Sequence, residues 1–309
     1  MRMMQALILL ATLCTPAAAW AQSNTTVLFI GNSFTYGHGS PVRFYRSDTV
    51  TDLNNTGIGG VPALFKSFTA QVGSNYEVYV ETQPGSGLDF HLQNRLGTIG
   101  RRAWDLVVMH GQSTLDFEDP GNPAKLVDTS GRLAEFLHSV NSEVEVHLMA
   151  TWSRADQTYQ PGGAWADRPI DSMAKDVRAG YDQAARASAA IKSVVPVGEA
   201  WNLAMESGVA DPNPYDGTEF GTISLWTYDY YHASTYGYYL EALVVFGRLT
   251  GRDPRSLGDH ECSAFELGLS RQEASALQQV AFDTLVKTDG LTPAPFALDS
   301  PASLTRCVN

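Results

Sequence analysis

The amino-acid sequence predicts an α/β protein in which helices cover both faces of a central parallel sheet of about five strands. Short apolar runs rich in β-branched residues recur along the chain and are too short to be helices. Segments with helical spacing separate these runs. Strands that alternate with helices are joined by right-handed crossovers, which give a parallel sheet with helices on both sides.

The apolar runs predict the positions of the strands, at residues 27–30, 76–80, 106–109, 144–149 and 194–197. Apolar residues recur at steps of three, four or seven in two segments, 126–140 and 170–191, which predicts an amphipathic helix in each. Ser270 and Glu273 form a capping-box pattern ahead of a third apolar segment, 277–285, and predict a helix that begins at this serine.

Composition and charge restrict the classes of function. The chain has 309 residues, 44% of them hydrophobic and 17% charged, which is typical of a globular protein with ample material for a core. Its formal charge of −12 disfavours nucleic acid and anionic membranes as partners, because like charges repel. With no linker or internal repeat evident, residues 22–309 are predicted to form one domain.

The first 21 residues are typical of a secretory signal peptide. Arg2 supplies the positive start, residues 6–14 the apolar stretch, and Ala19-Trp20-Ala21 the small-x-small cleavage pattern. Cleavage after Ala21 would deliver a periplasmic or secreted protein, with no stable membrane insertion. In an oxidising compartment, Cys262 and Cys307 are expected to form a disulfide, the alternative being two unrelated thiols.

Parallel sheets of this kind place their functional sites at the carboxyl ends of the strands. Ser33 follows the first apolar run directly, so its hydroxyl is expected at that edge. Gly85 lies in a glycine-rich turn after the second run, where backbone N–H groups can point into a cleft. Gln112 and Ser113 follow the third run and can donate hydrogen bonds at the same edge.

Asp229 and His232 are three residues apart, so that on one turn their side chains can lie on the same side. The aspartate would accept a hydrogen bond from Nδ1–H of the histidine and leave Nε2 free to take a proton from a serine. An Asp-x-x-His pattern by itself is common. Its meaning depends on the other motifs in the chain.

Together these motifs resemble the SGNH (GDSL-like) hydrolase superfamily. Residues 104–108 with Gln112 and Ser113, residues 196–201 and the tyrosine-rich segment around His232 resemble a bacterial subgroup of it. Gly31-Asn32-Ser33-Phe34-Thr35 resembles the family's first block, Asp229-x-x-His232 resembles its last, and Gly85 stands where the family has its oxyanion glycine. The resemblance implies a three-layer α/β/α sandwich and hydrolysis of esters, often acyl groups on carbohydrates or lipids. It assigns Ser33 as nucleophile, with Asp229 and His232 as its partners.

The third block departs from the family pattern. Gly111-Gln112-Ser113 stands where the family has Gly-x-Asn, so the role of third oxyanion donor is carried over to Gln112 first and to Ser113 second. Further candidates for substrate contact are the side chains of His110, Trp152, Glu199 and Trp226, each of which has an alternative role in packing or structural hydrogen bonding.

The predicted activity is that of an exported serine esterase acting on small-molecule or polysaccharide esters through an acyl-enzyme. Two alternatives stay open at this stage: a non-catalytic carbohydrate-binding protein on the same scaffold, and an acyltransferase. No cofactor or metal is expected, since the acidic residues Asp211, Asp216 and Glu219 match no calcium-loop spacing. The sequence leaves the oligomeric state open.

Overall fold

A computed structural model describes residues 24–290 of the chain. Within this range six strands form one sheet in the order β2-β3-β1-β4-β5-β6, and every neighbouring pair is parallel. The strands are β1 Thr25–Gly31, β2 Thr51–Asp52, β3 Tyr76–Thr82, β4 Leu106–Met109, β5 Glu145–Ala150 and β6 Ser193–Pro196. The predicted parallel sheet is confirmed, with one strand more than the five predicted runs.

Helices occupy the connections between the strands and the region after the last strand. They are α1 Ser33–Tyr36, α2 Gly60–Gln71, α3 Leu88–Asn94, α4 Leu96–Ile99, α5 Ala124–Val140, α6 Ala155–Tyr159, α7 Asp171–Ala187, α8 Val197–Glu206, α9 Thr235–Thr250, α10 Cys262–Glu266 and α11 Arg271–Asp289. The predicted helices correspond to α5, α7 and α11. Ser270 caps α11 with the reciprocal capping box that its spacing with Glu273 predicted.

Two hydrophobic cores lie on opposite faces of the sheet. Side chains alternate along β1: Val27 and Phe29 belong to one core, and Leu28 and Ile30 to the other. The first core is completed by α2, α8, α9 and α11, and the second by α3, α5 and α7. Both faces of the central strands are therefore buried, which explains why these strands are continuous apolar runs. The architecture is the predicted three-layer α/β/α sandwich.

The order of the strands determines where a cleft can form. From β1 the chain passes to β2 and β3 on one side, and then crosses to β4, which pairs with the other side of β1. Loops leaving β3 and β4 therefore flank the end of β1. Ligands of open α/β sheets bind at such a switch point, beyond the carboxyl ends of the strands.

Two sequence predictions lie outside the described residues: the signal peptide of residues 1–21, and Cys307 of the expected disulfide. Its expected partner Cys262 begins α10 and is buried. In the described range, no helix combines the length and apolar character needed to cross a membrane.

Candidate active site

Ser33 lies at the carboxyl end of β1, at the switch point of the sheet. The strand ends at Gly31, and the Asn32 side chain then accepts a hydrogen bond from the N–H of Phe34, which caps the one-turn helix α1. The helix stops at Gly37, whose φ of 81° suits a glycine. This tight strand-to-helix turn holds the Ser33 side chain at the edge of the sheet.

A series of hydrogen bonds joins Ser33 to a histidine 199 positions later in the chain. Oγ of Ser33 lies 2.8 Å from Nε2 of His232. On the far side of the ring, Nδ1 of His232 lies 2.6 Å from Oδ2 of Asp229. Because a carboxylate can only accept, Nδ1 carries the proton and Nε2 is left to accept from the serine hydroxyl. The three side chains thus have the connectivity of a serine–histidine–aspartate triad.

Asp229 and His232 lie in a turn before α9, and not in a helix. Oδ1 of Asp229 accepts hydrogen bonds from the backbone N–H groups of Tyr231 and His232, at 3.0 and 2.9 Å. Tyr230 between them has a φ of 55°, in the left-handed region that is unfavourable for a tyrosine. The spacing predicted that the two side chains can lie on the same side of one turn, and the turn that brings them together is held by the aspartate itself.

The surroundings of the imidazole favour its neutral form. Burial lowers the pKa of His232 below its ordinary value; the hydrogen bond and charge of Asp229 oppose this, and His38 and Arg154 act in the same direction as burial. For Asp229, burial acts to raise the pKa, but hydrogen bonds from His232 and the backbone outweigh it and leave the pKa lowered. The pair is therefore a neutral histidine beside an ionised carboxylate at neutral pH.

The loops after β3 and β4 are tied to the serine turn by side-chain amides. Nδ2 of Asn32 donates to the carbonyl oxygens of Ser86 and Gly111, at 2.8 and 3.2 Å. Nε2 of Gln112 donates to the carbonyl oxygen of Gly85 at 2.6 Å. One asparagine therefore fixes three strand ends relative to each other, and one hydrogen of the Gln112 amide is already engaged by the neighbouring loop.

In the described part of the chain, two backbone N–H groups at the carboxyl ends of β1 and β3 donate no hydrogen bond. Among the described residues, neither the N–H of Ser33 nor that of Gly85 donates a hydrogen bond. Gly85 has a φ of 68°, a conformation that glycine adopts without cost and that sets the direction of its peptide groups. Such free donors at a strand edge are what a developing oxyanion requires.

Ser113 is held by Arg154, which follows β5 and had not been singled out in the sequence. Nη1 of Arg154 donates to Oγ of Ser113 at 3.3 Å. The same guanidinium forms a bidentate ion pair with Asp156 and lies 3.6 Å from the ring centroid of Tyr231. Since Oγ of Ser113 accepts from the arginine, its own hydrogen can be donated elsewhere.

A second serine–histidine–carboxylate arrangement lies next to the site and has a structural role. His91 and Glu81 form a fully buried ion pair, and Nε2 of His91 lies 3.3 Å from Oγ of Ser86. However, this Nε2 also lies 3.0 Å from the carbonyl oxygen of Gly31, which can only accept. Nε2 must therefore carry a proton, so that it cannot act as a base for Ser86. The pair instead supports the end of β1.

Two predicted substrate contacts lie below the site rather than in it. His110 is buried, with Nε2 2.8 Å from Oγ1 of Thr35 and Nδ1 3.1 Å from the carbonyl oxygen of Gly111, and burial lowers its pKa to about 4. Trp152 has no exposed surface and stacks between Phe34 and Trp201, with ring centroids 4.0 and 4.6 Å away. Neither side chain is accessible to a substrate, because each is enclosed by the packing that supports Ser33.

The other two predicted contacts are also engaged in structural interactions. Trp226 is buried, and its indole N–H donates to the carbonyl oxygen of Ser153 at 3.0 Å. Glu199, at the start of α8, pairs with Arg178 at 2.6 Å. Apolar packing accounts for the tryptophan and an ion pair for the glutamate, in line with the structural alternative considered for each.

Two long segments, residues 153–168 and 210–228, lie against each other and against the Asp229–His232 turn. The hydroxyl of Tyr159 donates to the carbonyl oxygen of Pro212, which joins the loops 153–168 and 210–228. Tyr215 then packs on Tyr230 with ring centroids 4.4 Å apart, and Tyr228 beside it is 74% exposed. The turn therefore has an aromatic surface on its outer side.

Sequence reasoning missed Arg154 and His38, both of which lie beside His232. The ring centroid of His38 is 4.4 Å from that of His232. Position offers a signal for each: Arg154 follows the carboxyl end of β5, and His38 follows α1 by two residues. Neither belongs to a recognisable motif, so no sequence pattern indicated a role for either residue.

Comparison with known proteins identifies the fold. No protein-family model and no curated protein matches the chain. A DUF4886 family protein from Bacteroides uniformis matches with a TM-score of 0.58 and 17% identity, over 88% of this chain and 98% of that one. A putative SGNH hydrolase from Slackia heliotrinireducens matches with a TM-score of 0.47 and 21% identity, over 74% and 100%. The first of these structures shares its fold with this chain over most of both chains. At these identities the likeness concerns the fold alone, and the SGNH-like superfamily stays a prediction from the sequence.

Proposed function

We propose that this chain is an exported serine hydrolase that cleaves acyl esters, acetyl esters of carbohydrates among them, through an acyl-enzyme. The observation that supports it most directly is the hydrogen-bonded series from Oγ of Ser33 through the imidazole of His232 to the carboxylate of Asp229. The series links residues 199 positions apart and lies at the switch point of the sheet. A histidine in this tautomer is a base for the serine hydroxyl.

The first half-reaction begins when Oγ of Ser33 attacks the ester carbonyl and its proton passes to Nε2 of His232. Asp229 stabilises the imidazolium that forms, and it keeps the ring oriented through two backbone hydrogen bonds to its own turn. His232 then gives the proton to the oxygen of the leaving alcohol, and the acyl group stays on Ser33. In the second half-reaction, a water takes the place of the hydroxyl, and the same proton transfers release the acid.

The oxyanion of each tetrahedral intermediate would be held by the N–H groups of Ser33 and Gly85, with a third donor from the loop after β4. Gln112 and Ser113 are the two candidates for this donor. The amide of Gln112 already donates to Gly85, whereas Ser113 accepts from Arg154 and keeps its own hydrogen available. These contacts favour Ser113, which reverses the order that the family pattern suggested.

The carbohydrate part of the proposal rests on the exposed tyrosines beside the triad. Tyr228 is 74% exposed and Tyr215 is 37% exposed, next to the turn that carries Asp229 and His232. Tyrosine rings with an apolar face and a polar hydroxyl suit contact with sugar rings. Trp152 and Trp226, which the sequence suggested for this purpose, are buried and are not part of this surface.

The test of the catalytic proposal offers p-nitrophenyl acetate and acetylated polysaccharides to the purified protein and to two variants. Ser33→Ala should lose about 10⁴-fold or more in kcat, because the nucleophile is removed. Ser142→Ala, at an exposed serine whose hydroxyl donates to Glu143, is the matched control and should keep full activity. A fluorophosphonate probe should add its phosphonyl group to the wild type and the control, and not to Ser33→Ala.

Equal rates from the wild type and Ser33→Ala, without labelling, would leave a non-catalytic carbohydrate-binding protein as the better explanation. Acetate that appears on an acceptor sugar, rather than in solution, would show an acyltransferase that uses the same triad. Each outcome separates one of the alternatives from hydrolysis.

Export is part of the same proposal and has its own test. Cleavage after Ala21 should give a mature chain that begins at Gln22, which N-terminal sequencing of the protein from a periplasmic or culture fraction would show. The predicted Cys262–Cys307 disulfide should appear as one linked peptide pair in a non-reducing digest. A retained signal, or both cysteines in reduced form, would contradict these two predictions.

A further inference from the structure

Three side chains with metal-binding atoms meet at one side of the triad. His38, Asp229 and His232 each offer one ligand atom, and the three atoms lie within 4.8 Å of one another. Two imidazoles and a carboxylate are the ligand types that zinc and similar divalent transition metals prefer. No metal site was expected from the sequence. These three residues come from two segments that are far apart in the chain, so no ligand-spacing pattern relates them.

The ring nitrogens of His38 are not used in hydrogen bonds within the described residues. In the described part of the chain, no side chain or backbone group forms a hydrogen bond with this ring, which is partly exposed. Its main chain, in contrast, is fixed, since its N–H donates to the carbonyl oxygen of Ser33 at 3.1 Å and its carbonyl oxygen accepts from Tyr238 at 3.1 Å. The backbone is thus held beside the triad, and the partly exposed ring packs on that of His232 with its centroid 4.4 Å away.

We propose that His38, Asp229 and His232 bind a divalent transition-metal ion, with Zn²⁺ as the representative ion, and that the bound ion inhibits the enzyme. Inhibition rests on the proposed function, whereas binding of the ion does not. Water or a buffer anion would fill the fourth position of a tetrahedral ion. The formal charge of −12 favours the approach of a cation to this surface.

The geometry requires only a small adjustment. A tetrahedral zinc ion with ligands at about 2.1 Å separates its ligand atoms by roughly 3.4 Å. The atoms of Asp229 and His232 are already closer than this, since Oδ2 and Nδ1 lie 2.6 Å apart. Rotation of the partly exposed His38 ring, with a small shift of Asp229, would bring the third atom to the required distance.

Binding at Nδ1 of His232, the nitrogen that faces Asp229, would stop proton transfer. The ion would replace the proton shared with Asp229 and change the ring orientation on which the contact of Nε2 with Ser33 depends. This ligand exchange is reversible and makes no covalent change in the protein, so that a chelator should restore activity.

Direct binding of ZnCl₂, followed by isothermal titration calorimetry on tag-free protein, tests the site without reference to catalysis. The wild type and Ser33→Ala should each bind one equivalent, because the serine is not one of the three ligands. His38→Gln should bind at least about tenfold more weakly. His260→Gln is the matched control: this histidine is also next to an aspartate, Asp259, but both side chains are 56% exposed.

Co²⁺ provides a second readout through the visible absorption of a tetrahedral ion, and circular dichroism shows whether each variant is folded. If ester hydrolysis is found, zinc should inhibit the wild type, EDTA should reverse it, and His38→Gln should need at least about tenfold more zinc relative to its own basal rate. Absence of hydrolysis would end the proposed function and leave the binding result intact. Equal zinc affinity of His38→Gln and the wild type, or no binding by the wild type, would overturn the metal site.

Discussion

The imidazole of His232 lies between a hydroxyl and a carboxylate, and its surroundings determine the pH at which it can act as a base. Burial lowers its pKa, and the electrostatic effects of His38 and Arg154 act in the same direction, against the opposing effect of Asp229. A general base acts only in its unprotonated form. The lowered pKa keeps that form populated at pH values where an ordinary histidine would already be charged.

We therefore expect kcat/KM for ester hydrolysis to be level near pH 7 and to fall toward acid, with its midpoint below the ordinary histidine value of about 6.5. A pH series with p-nitrophenyl acetate, corrected for unfolding at each pH, measures this. A midpoint above 6.5, or a rate that stays level down to about pH 4, would contradict the assignment of His232.

Asp229→Asn tests the orientation of the ring. The amide oxygen can still accept from the backbone N–H groups of Tyr231 and His232, so the turn should persist, but the charge that stabilises the imidazolium is lost. We expect kcat to fall by about 10³–10⁴-fold. Asp216→Asn, in the exposed part of the loop 210–228, is the control and should have wild-type kcat. Similar losses in both variants would rule out a specific role for Asp229.

Ser113→Ala and Gln112→Ala distinguish the two candidates for the third oxyanion donor. Because Ser113 has an uncommitted hydrogen, we expect its removal to lower kcat by roughly a hundredfold, equivalent to about 3 kcal/mol. Gln112→Ala removes a hydrogen bond to the carbonyl oxygen of Gly85 and should lower kcat by less. Steady-state kinetics of the two variants decides between them, and a larger loss in Gln112→Ala would restore the order suggested by the family pattern.

The junction of β1 and α1 depends on a glycine with no space around it. A Cβ on Gly31 would overlap the imidazole of His110 and lie 2.5 Å from Oγ1 of Thr35. His110 is fully enclosed and cannot move aside. The φ of Gly31 lies outside the left-handed region, so that the close approach of His110 is what requires a glycine.

We expect Gly31→Ala to lower the free energy of unfolding by about 1–3 kcal/mol, since added volume in a packed interior forces neighbours to shift. Urea denaturation of the wild type and the variant measures the change. Gly97→Ala in α4 is the control, because a Cβ there meets nothing within 4 Å and alanine favours a helix. A Gly31→Ala protein as stable as the wild type would mean that the turn can adapt.

Stability of the whole protein toward acid depends on histidines that are buried in the neutral form. Burial lowers the pKa of both His110 and His147 to about 4, with Arg248 adding to the effect at His147. The unfolded chain binds a proton on each near pH 6.5, so the folded state binds fewer protons between pH 6.5 and 4. The stability from these groups is present above pH 6.5 and is lost as the pH falls toward 4.

We expect His147→Gln to be less sensitive to acid than the wild type, by an amount that approaches about 3 kcal/mol between pH 7 and pH 4. The difference between the two proteins is the useful quantity, because the fully buried Glu241 has a raised pKa and shifts the pH dependence in the opposite direction in both. Urea denaturation at several pH values provides it. If the free energy of unfolding changed with pH by the same amount in both proteins, protonation of His147 would not destabilise the folded state.

Most strands and three of the helices could be predicted from the sequence, because each is indicated by a hydrophobic pattern within one short segment. Apolar runs without alternation predicted buried parallel strands, and helical spacing predicted α5, α7 and α11. The two-residue strand β2 was missed because a short edge strand carries no periodic pattern, and only its pairing with β3 defines it. In the same way, the turn at Asp229 looks like one turn of helix in spacing, although its backbone is not helical.

For the candidate site, the sequence by itself determined the residue types and the edge of the sheet at which they meet. Ser33, Asp229 and His232 were selected by motif, and the structure places their side chains in one hydrogen-bonded series; their catalytic roles remain predictions. Only the tertiary structure decided which other side chains are accessible. Trp152 and His110 are enclosed, whereas His38 packs on His232 and Arg154 binds Ser113. Accessibility and proximity depend on segments that are distant in sequence and adjacent only after folding.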